Sequence, residues 1–198
     1  MKKTRCPWTK DNELMNAYHD TEWGVPQHND RVLFEYIILD TFQAGLSWQI
    51  IVNKRENFRK VFAQFDAHKI ARFTPKKINN LMSDAGIIRN RLKIEGAIKN
   101  AKAFLKVQKE FGSFDKYIWQ FVNHKTIIHT CTRTAHMRAH SKESDAMASD
   151  MKSRGFAFTG STVCYAFMQG SGMINDHLVS CFRYKAINTL VKKDRKQK

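Results

Sequence analysis

This chain has little that would divide, cross-link or embed it. Three prolines and nine glycines among 198 residues form no Pro/Gly/Ser-rich linker, and no repeat or low-complexity block is present. That excludes a string of modules and leaves one domain, or two closely packed lobes, long enough to bury a core. Four cysteines, Cys6, Cys131, Cys164 and Cys181, show no framework spacing, which excludes a small disulfide-stapled scaffold. The apolar runs are short and broken by charge, so none can cross a bilayer, and the opening MKKTRCPW carries no apolar targeting segment. A soluble, cytoplasmic protein is expected. Alternating strand patterns are also scarce, so the expected fold is all-α.

Acidic residues are in short supply too. Lys and Arg number 34 against 18 Asp and Glu, a formal net charge of +16, and such an excess speaks to partners more than to fold. The natural partner is a polyanion. Basic residues recur along the chain, at Lys54 and Arg55, Lys76 and Lys77, Arg89, Arg91 and Lys93, and Lys152 and Arg154. No segment pairs a basic face with a long apolar one, which favours nucleic acid over an anionic membrane. A folded unit is expected over residues 1–190, followed by a basic, disordered tail at 191–198 that adds non-specific attraction.

What the chain does have is helical periodicity. Asn29 or Asp30 can cap a helix carrying Leu33, Phe34, Ile37, Ile38 and Thr41 that Gly45 ends. Ser47 can cap the next, with Trp48, Ile51 and Val52 turned inward. Thr74 before Pro75 starts another, bearing Ile78, Leu81 and Met82. Ile94, Ala97, Ile98, Ala101 and Leu105 repeat at the i, i+3, i+4 spacing of a long amphipathic helix that stops near Gly112. Ser113 restarts a short helix through Phe121. After an irregular His- and Thr-rich stretch, helices are expected from Glu143 to Ser153 and from Ser161 to Gln169. The segment Leu81 to Ala101 thus reads as helix, tight turn, helix. A turn at Gly86 whose backbone N–H groups point outward at a helix start can hold a phosphate, reinforced by Arg89, Arg91 and Lys93. An ordinary corner between helices is the plainer reading of the same pattern.

Two pairs of metal-ligand residue types sit almost a chain length apart, Cys6 with His19 and His177 with Cys181. A fold that joins its ends would gather them into a tetrahedral site of two thiolates and two imidazoles, structural because no position stays open for water or substrate. His177 and Cys181, four residues apart, would share a helix face. Cys6 and His19 lack the short knuckle spacing of most zinc modules. On the residues alone, a zinc clasp and a bland reading of buried thiols with unrelated imidazoles stand side by side, with a Cys6 to Cys181 disulfide a weaker third.

Longer stretches narrow the choice. CPW at Cys6 to Trp8, AYHDTEWGVP at Ala17 to Pro26, QAGLSW at Gln43 to Trp48 and KREN at Lys54 to Asn57 are followed by DAGIIRNRLKI at Asp84 to Ile94 and FVNH at Phe121 to His124. KSRGFAFTGSTVCYAFMQ at Lys152 to Gln169 and INDHLVSC at Ile174 to Cys181 complete the series. In order and spacing the chain resembles the DNA-3-methyladenine glycosylase I family over nearly all its length except the basic tail. The resemblance implies a two-lobed, all-α fold of the helix-hairpin-helix glycosylase superfamily, with a structural zinc on Cys6, His19, His177 and Cys181. It implies double-stranded DNA containing alkylated bases as partner and hydrolysis of the N-glycosidic bond of N3-alkylated adenine after base flipping, leaving an abasic site. A monomer is expected.

The resemblance also assigns roles. Tyr18, Trp23 and Trp48 would form a stacking pocket that selects a cationic ring. Gly45 would let DNA approach closely, and Leu46 would wedge into the space left by the extruded nucleotide, unless it is a buried staple before Ser47. Two positions depart from the family. Asp40 stands where the family carries its base-contacting glutamate, which keeps the catalytic charge but withdraws it by about 1.5 Å, one C–C bond. Met15 stands where the family tends to place another pocket aromatic, and offers a polarizable wall instead. Two rival readings keep the fold: a non-catalytic zinc-containing binder of distorted DNA, and an active enzyme with a shifted alkyl-base preference.

Overall fold

The computed structural model describes residues 3–194. Helix α1 (Glu13–Thr21) begins where the Asn12 side chain accepts a hydrogen bond from the Met15 N–H. Helix α2 (Asp30–Gln43) is capped by Asn29, which accepts from the N–H groups of Arg31 and Val32. From Leu33 through Phe42 every residue of α2 is buried, and a helix with no polar face belongs at the centre of a core. Gly45, at φ +80°, turns the chain into α3 (Trp48–Val61), a backbone conformation glycine adopts without strain.

Helices α4 (Ala67–Ile70), α5 (Pro75–Ser83), α6 (Arg91–Phe111) and α7 (Phe114–Trp119) follow. Thr74, Asn90 and Ser113 cap the last three, accepting from the N–H groups of Lys77, Lys93 and Lys116. Strand β1 (Ile127–Ile128), α8 (Lys142–Ser153), α9 (Ser161–Gly170), β2 (Ile174–Asn175) and α10 (Phe182–Asp194) complete the chain. Aromatic pairs such as Phe34 with Phe104 (4.6 Å) and Phe42 with Phe58 (4.9 Å) bind α6 and α3 to the central α2. A second, smaller apolar cluster gathers Cys6, Tyr18, Trp23, Cys131, Leu178 and Cys181. No helix among the described residues is long and apolar enough to cross a membrane.

The fold is mostly helical, as expected, with one small addition: β1 and β2 form a parallel two-residue ladder pairing Ile127 with Ile174 and Ile128 with Asn175. Strands so short leave no alternation to read. The expected tail from residue 191 is helical through Asp194, because Ile187 and Val191 bury one turn apart on α10; the rest of that tail, 195–198, lies outside the described residues. The turn between α5 and α6 also differs from expectation. The Gly86 N–H points inward and donates to Asp84 Oδ1 at 2.7 Å, and a Cβ at Gly86 would collide with the Asn57 side chain. This glycine serves close packing against α3 rather than an outward donor. Lys93 is also turned in: its Nζ donates to the carbonyls of Phe42 (2.7 Å) and Ala44 (2.6 Å), fastening α6 to the end of α2. Burial lowers the pKa of this ammonium. The Lys93 ammonium is thus committed within the protein.

Candidate active site and metal cluster

The ends of the chain meet at four buried side chains. Cys6 precedes a short turn at Pro7–Thr9, His19 lies on α1, His177 follows β2, and Cys181 precedes α10. Their ligand atoms all lie within 4.8 Å of one another. Cys6 Sγ is 3.7 Å from His177 Nδ1, and Cys181 Sγ is 3.4 Å from His19 Nε2 and 3.6 Å from His177 Nδ1. The outer ring nitrogens are occupied. His19 Nδ1 donates to Asp20 at 2.8 Å, and Arg5 grips Asp20 in turn at 2.9 and 2.7 Å; His177 Nε2 donates to the Trp23 carbonyl at 3.0 Å. Each imidazole thus turns its lone pair inward, the arrangement that orients metal-binding histidines. The N–H groups of Leu178 and Arg183 donate to Cys6 Sγ and Cys181 Sγ. A hydrogen bond from Cys6, aided by both imidazoles, holds the Cys181 thiol well below its ordinary pKa. All four cysteines are unbridged, so the disulfide reading falls, and the four side chains can hold a metal ion.

Beside this cluster opens a cavity of about 400 Å³, with Trp8, Met15, Tyr18, Trp23 and Trp48 on its walls and Asp40 of α2 facing it. The rings form one continuous surface: Tyr18 lies 5.3 Å from Trp48, and Trp8 lies 5.0 Å from Trp23. Trp23 also packs edge-on against His177 at 4.5 Å, so the Cys/His cluster is the footing of the aromatic wall.

Asp40 is 5% exposed and makes no hydrogen bond to any described residue. Burial raises its pKa well above the ordinary carboxylate range, opposed only by Arg55. Arg55 is itself committed, donating to Glu35 at 2.6 Å and Glu22 at 2.8 Å. Its positive charge is therefore largely answered before it reaches Asp40. The Tyr18 pKa is likewise raised, by burial and then by Asp40. The indole N–H groups of Trp8 and Trp48 are buried with no acceptor. Buried polar groups left without partners are costly, and a cavity lined by several is shaped for a ligand that supplies them.

The remaining expected site residues divide. Met15, Tyr18, Trp23, Trp48 and Asp40 converge on the cavity. Leu46 is 38% exposed, which removes the buried staple as an alternative, and Gly45 sits beside it at the turn. Arg89 is exposed, whereas Arg91 donates to Asn79 at 2.8 Å. The sequence reading missed the cavity roles of Trp8, Lys10, Arg138 and Gln169. Trp8 alone carried a signal, an aromatic beside a candidate metal ligand; the others arrive from distant segments. His129 is half-buried and donates to Asp176 at 2.7 Å, and this carboxylate also accepts from Tyr165 and Gln169.

Comparison with known proteins fits this geometry. A family model described as methyladenine glycosylase matches residues 8–184. DNA-3-methyladenine glycosylase 1 of Escherichia coli (strain K12) is 44% identical over 180 residues, spanning 91% of this chain and 96% of that protein. A crystal structure of 3-methyladenine DNA glycosylase I superposes with a TM-score of 0.89 at 43% identity, covering 90% of this chain and 98% of that one. A tyrosine-to-phenylalanine variant of 3-methyladenine DNA glycosylase I, crystallised in complex with 3-methyladenine, gives a TM-score of 0.87 at 29% identity, covering 90% and 96%. Matches of this extent place the chain in the methyladenine glycosylase family.

Proposed function

We propose that this protein is a monofunctional glycosylase that removes 3-methyladenine from alkylated double-stranded DNA. One observation carries the reading: a buried carboxyl without a hydrogen-bond partner, Asp40, faces a cavity walled by aromatic rings. Alkylation at N3 makes adenine cationic in the nucleotide, and a cationic ring is what π faces and a carboxylate select together. A cationic ring in the cavity would favour the charged form of Asp40, against the burial that disfavours it. The glycosidic bond then breaks with its electron pair passing to the purine. Water adds at C1′ of the sugar, gives up a proton to solvent and leaves an abasic site. The leaving base departs neutral, so little general-acid assistance is needed, and the protein's task is to extrude, hold and select.

A structural zinc fits the Cys/His cluster. Zn–S near 2.3 Å and Zn–N near 2.0–2.1 Å put sulfur and nitrogen about 3.6 Å apart in a regular tetrahedron, and the separations here are 3.4, 3.6 and 3.7 Å. With two thiolates and two imidazoles no position remains for substrate, so the ion would fix the aromatic wall rather than take part in bond cleavage. The α5–turn–α6 unit serves as the helix-hairpin-helix, with Arg89 and Arg91 toward the DNA backbone, Gly45 and Leu46 at the cavity mouth, and the protein acting as a monomer.

Asp40 and Met15 favour a second reading, since an aspartate and a methionine shape the cavity differently from a glutamate and an aromatic ring. An altered range of alkylated bases would follow. Incubation with DNA treated with a methylating agent, followed by chromatography of released bases, tests both. Release of 3-methyladenine is expected; other alkylated purines in its place would establish the shifted range, and no release at all would leave a DNA-binding module.

A further inference from the structure

We infer that Lys10 and Arg138 form a phosphate clamp at the mouth of the base cavity, gripping the backbone of the extruded nucleotide. The inference rests on the glycosylase reading above and adds to it a site for the part of the substrate the cavity cannot hold. Both residues line the same cavity as Asp40 and Trp48, both are exposed, and neither side chain makes a hydrogen bond or ion pair with a described residue. In contrast, Arg5, Arg55, Arg59, Arg91 and Arg154 are all paired with carboxylates.

Their backbones are held in place. Lys10 and Asp11 adopt φ +50° and +53°, a left-handed conformation that costs of order 1 kcal/mol or more per residue and persists only where the surroundings impose it. Here the Lys10 N–H donates to the Pro7 carbonyl, with Cys6 of the metal cluster on one side of the turn and Asn12, the cap of α1, on the other. Arg138 follows Met137, which packs into the small apolar cluster, and the same loop is tied to the metal-ligand segment by the Val179 N–H donating to the Cys131 carbonyl at 2.9 Å. Both cations therefore stand on the frame that carries the Cys/His cluster.

A cavity of about 400 Å³ accommodates a purine, but the charged phosphates on either side of the flipped sugar must remain at its rim. A guanidinium there offers a fork of donors to phosphate oxygens and an ammonium a compact charge. The interior then recognises the damaged ring while the rim recognises that the ring is attached to DNA. Free alkylated purines would gain nothing from the rim.

The test uses the full chain and a duplex with a central tetrahydrofuran abasic analogue, which keeps both phosphates and presents no base. Dissociation constants for this duplex and for an undamaged one are measured across a salt series, for the parent, Lys10→Ala with Arg138→Ala, and Lys10→Arg with Arg138→Lys. The double alanine variant is expected to bind the abasic duplex on the order of tenfold more weakly. Its log–log salt slope should be shallower by about 0.9 per lost contact, the loss on undamaged duplex should be smaller, and the charge-retaining variant should recover most of it. In excision assays KM should rise more than kcat falls. Parent-like affinity and slope in the double alanine variant, or an equal loss on both duplexes, would overturn the clamp while leaving the glycosylase reading intact. A parent that releases no base from methylated DNA would defeat that reading instead, and the clamp with it.

Discussion

At the Cys/His cluster both imidazoles use both ring nitrogens and both sulfurs accept a backbone N–H. In the adjoining cavity, Asp40 has no hydrogen-bond partner and the Trp8 and Trp48 indoles have no acceptor among the described residues. The two regions share residue types that sequence patterns treat alike, polar and aromatic groups in a buried place. What separates them is satisfaction. A saturated cluster holds a shape, whereas an unsaturated cavity keeps its interaction energy for a ligand.

Breaking the saturated side should have the largest effect. A structural zinc contributes folding free energy directly, so stripping the metal, or Cys181→Ser, is expected to cost at least about 4 kcal/mol, a fall in Tm of roughly 8–16 °C for a chain of this size. Elemental analysis with calorimetry checks it; a metal-free preparation with an unchanged Tm would show that the cluster needs no ion.

The unsaturated side should respond in the opposite sense. Asp40→Asn removes the charge that meets the cationic ring, and single-turnover excision should fall on the order of a hundredfold. Stability should rise instead. Because burial raises the folded-state pKa of Asp40, the unfolded chain releases that proton first as pH increases. The parent therefore loses stability from about pH 4, where a free aspartate ionises, up to the raised folded value. Asp40→Asn should abolish that component, read as a Tm difference between variant and parent that grows over this window. A constant difference would mean that Asp40 is solvated.

Lys93 tests whether satisfaction, rather than charge, governs the hairpin. Lys93→Met leaves the Phe42 and Ala44 carbonyls without their donor, at a cost of about 2 kcal/mol, while the salt slope of DNA binding stays as in the parent. An unchanged Tm with a slope reduced by about 0.9 would put the ammonium on a phosphate after all. The smallest stability effect is expected at Leu46: Leu46→Ala should change stability by less than about 0.5 kcal/mol yet weaken excision several-fold. A large loss of stability with full excision would assign this residue to packing.

The helices were legible because their punctuation is local. Asn29, Thr74 and Ser113 cap as their residue types suggest, and Gly45 and Gly112 end α2 and α6. α10 was not, since its core contact is confined to few residues, among them Ile187 and Val191, between basic ones that read as a tail. Lys93 was misread because charge dominates its neighbourhood, although it lies on the same helical stripe as Ala97, Ala101 and Phe104, all buried. The metal ligands and aromatic walls were reached through motif resemblance. Lys10, Arg138 and Gln169 were not, because their convergence depends on how the residue 129–141 loop and α9 fold back onto the N-terminal turn.

The joining of Cys6 and His19 to His177 and Cys181 also sets a schedule. As the chain leaves the ribosome, Trp8, Trp23 and the α1 helix between them emerge long before His177 and Cys181, so the nascent protein has rings but no finished binding surface. Recognition of damage is thus withheld until translation has delivered almost the whole chain.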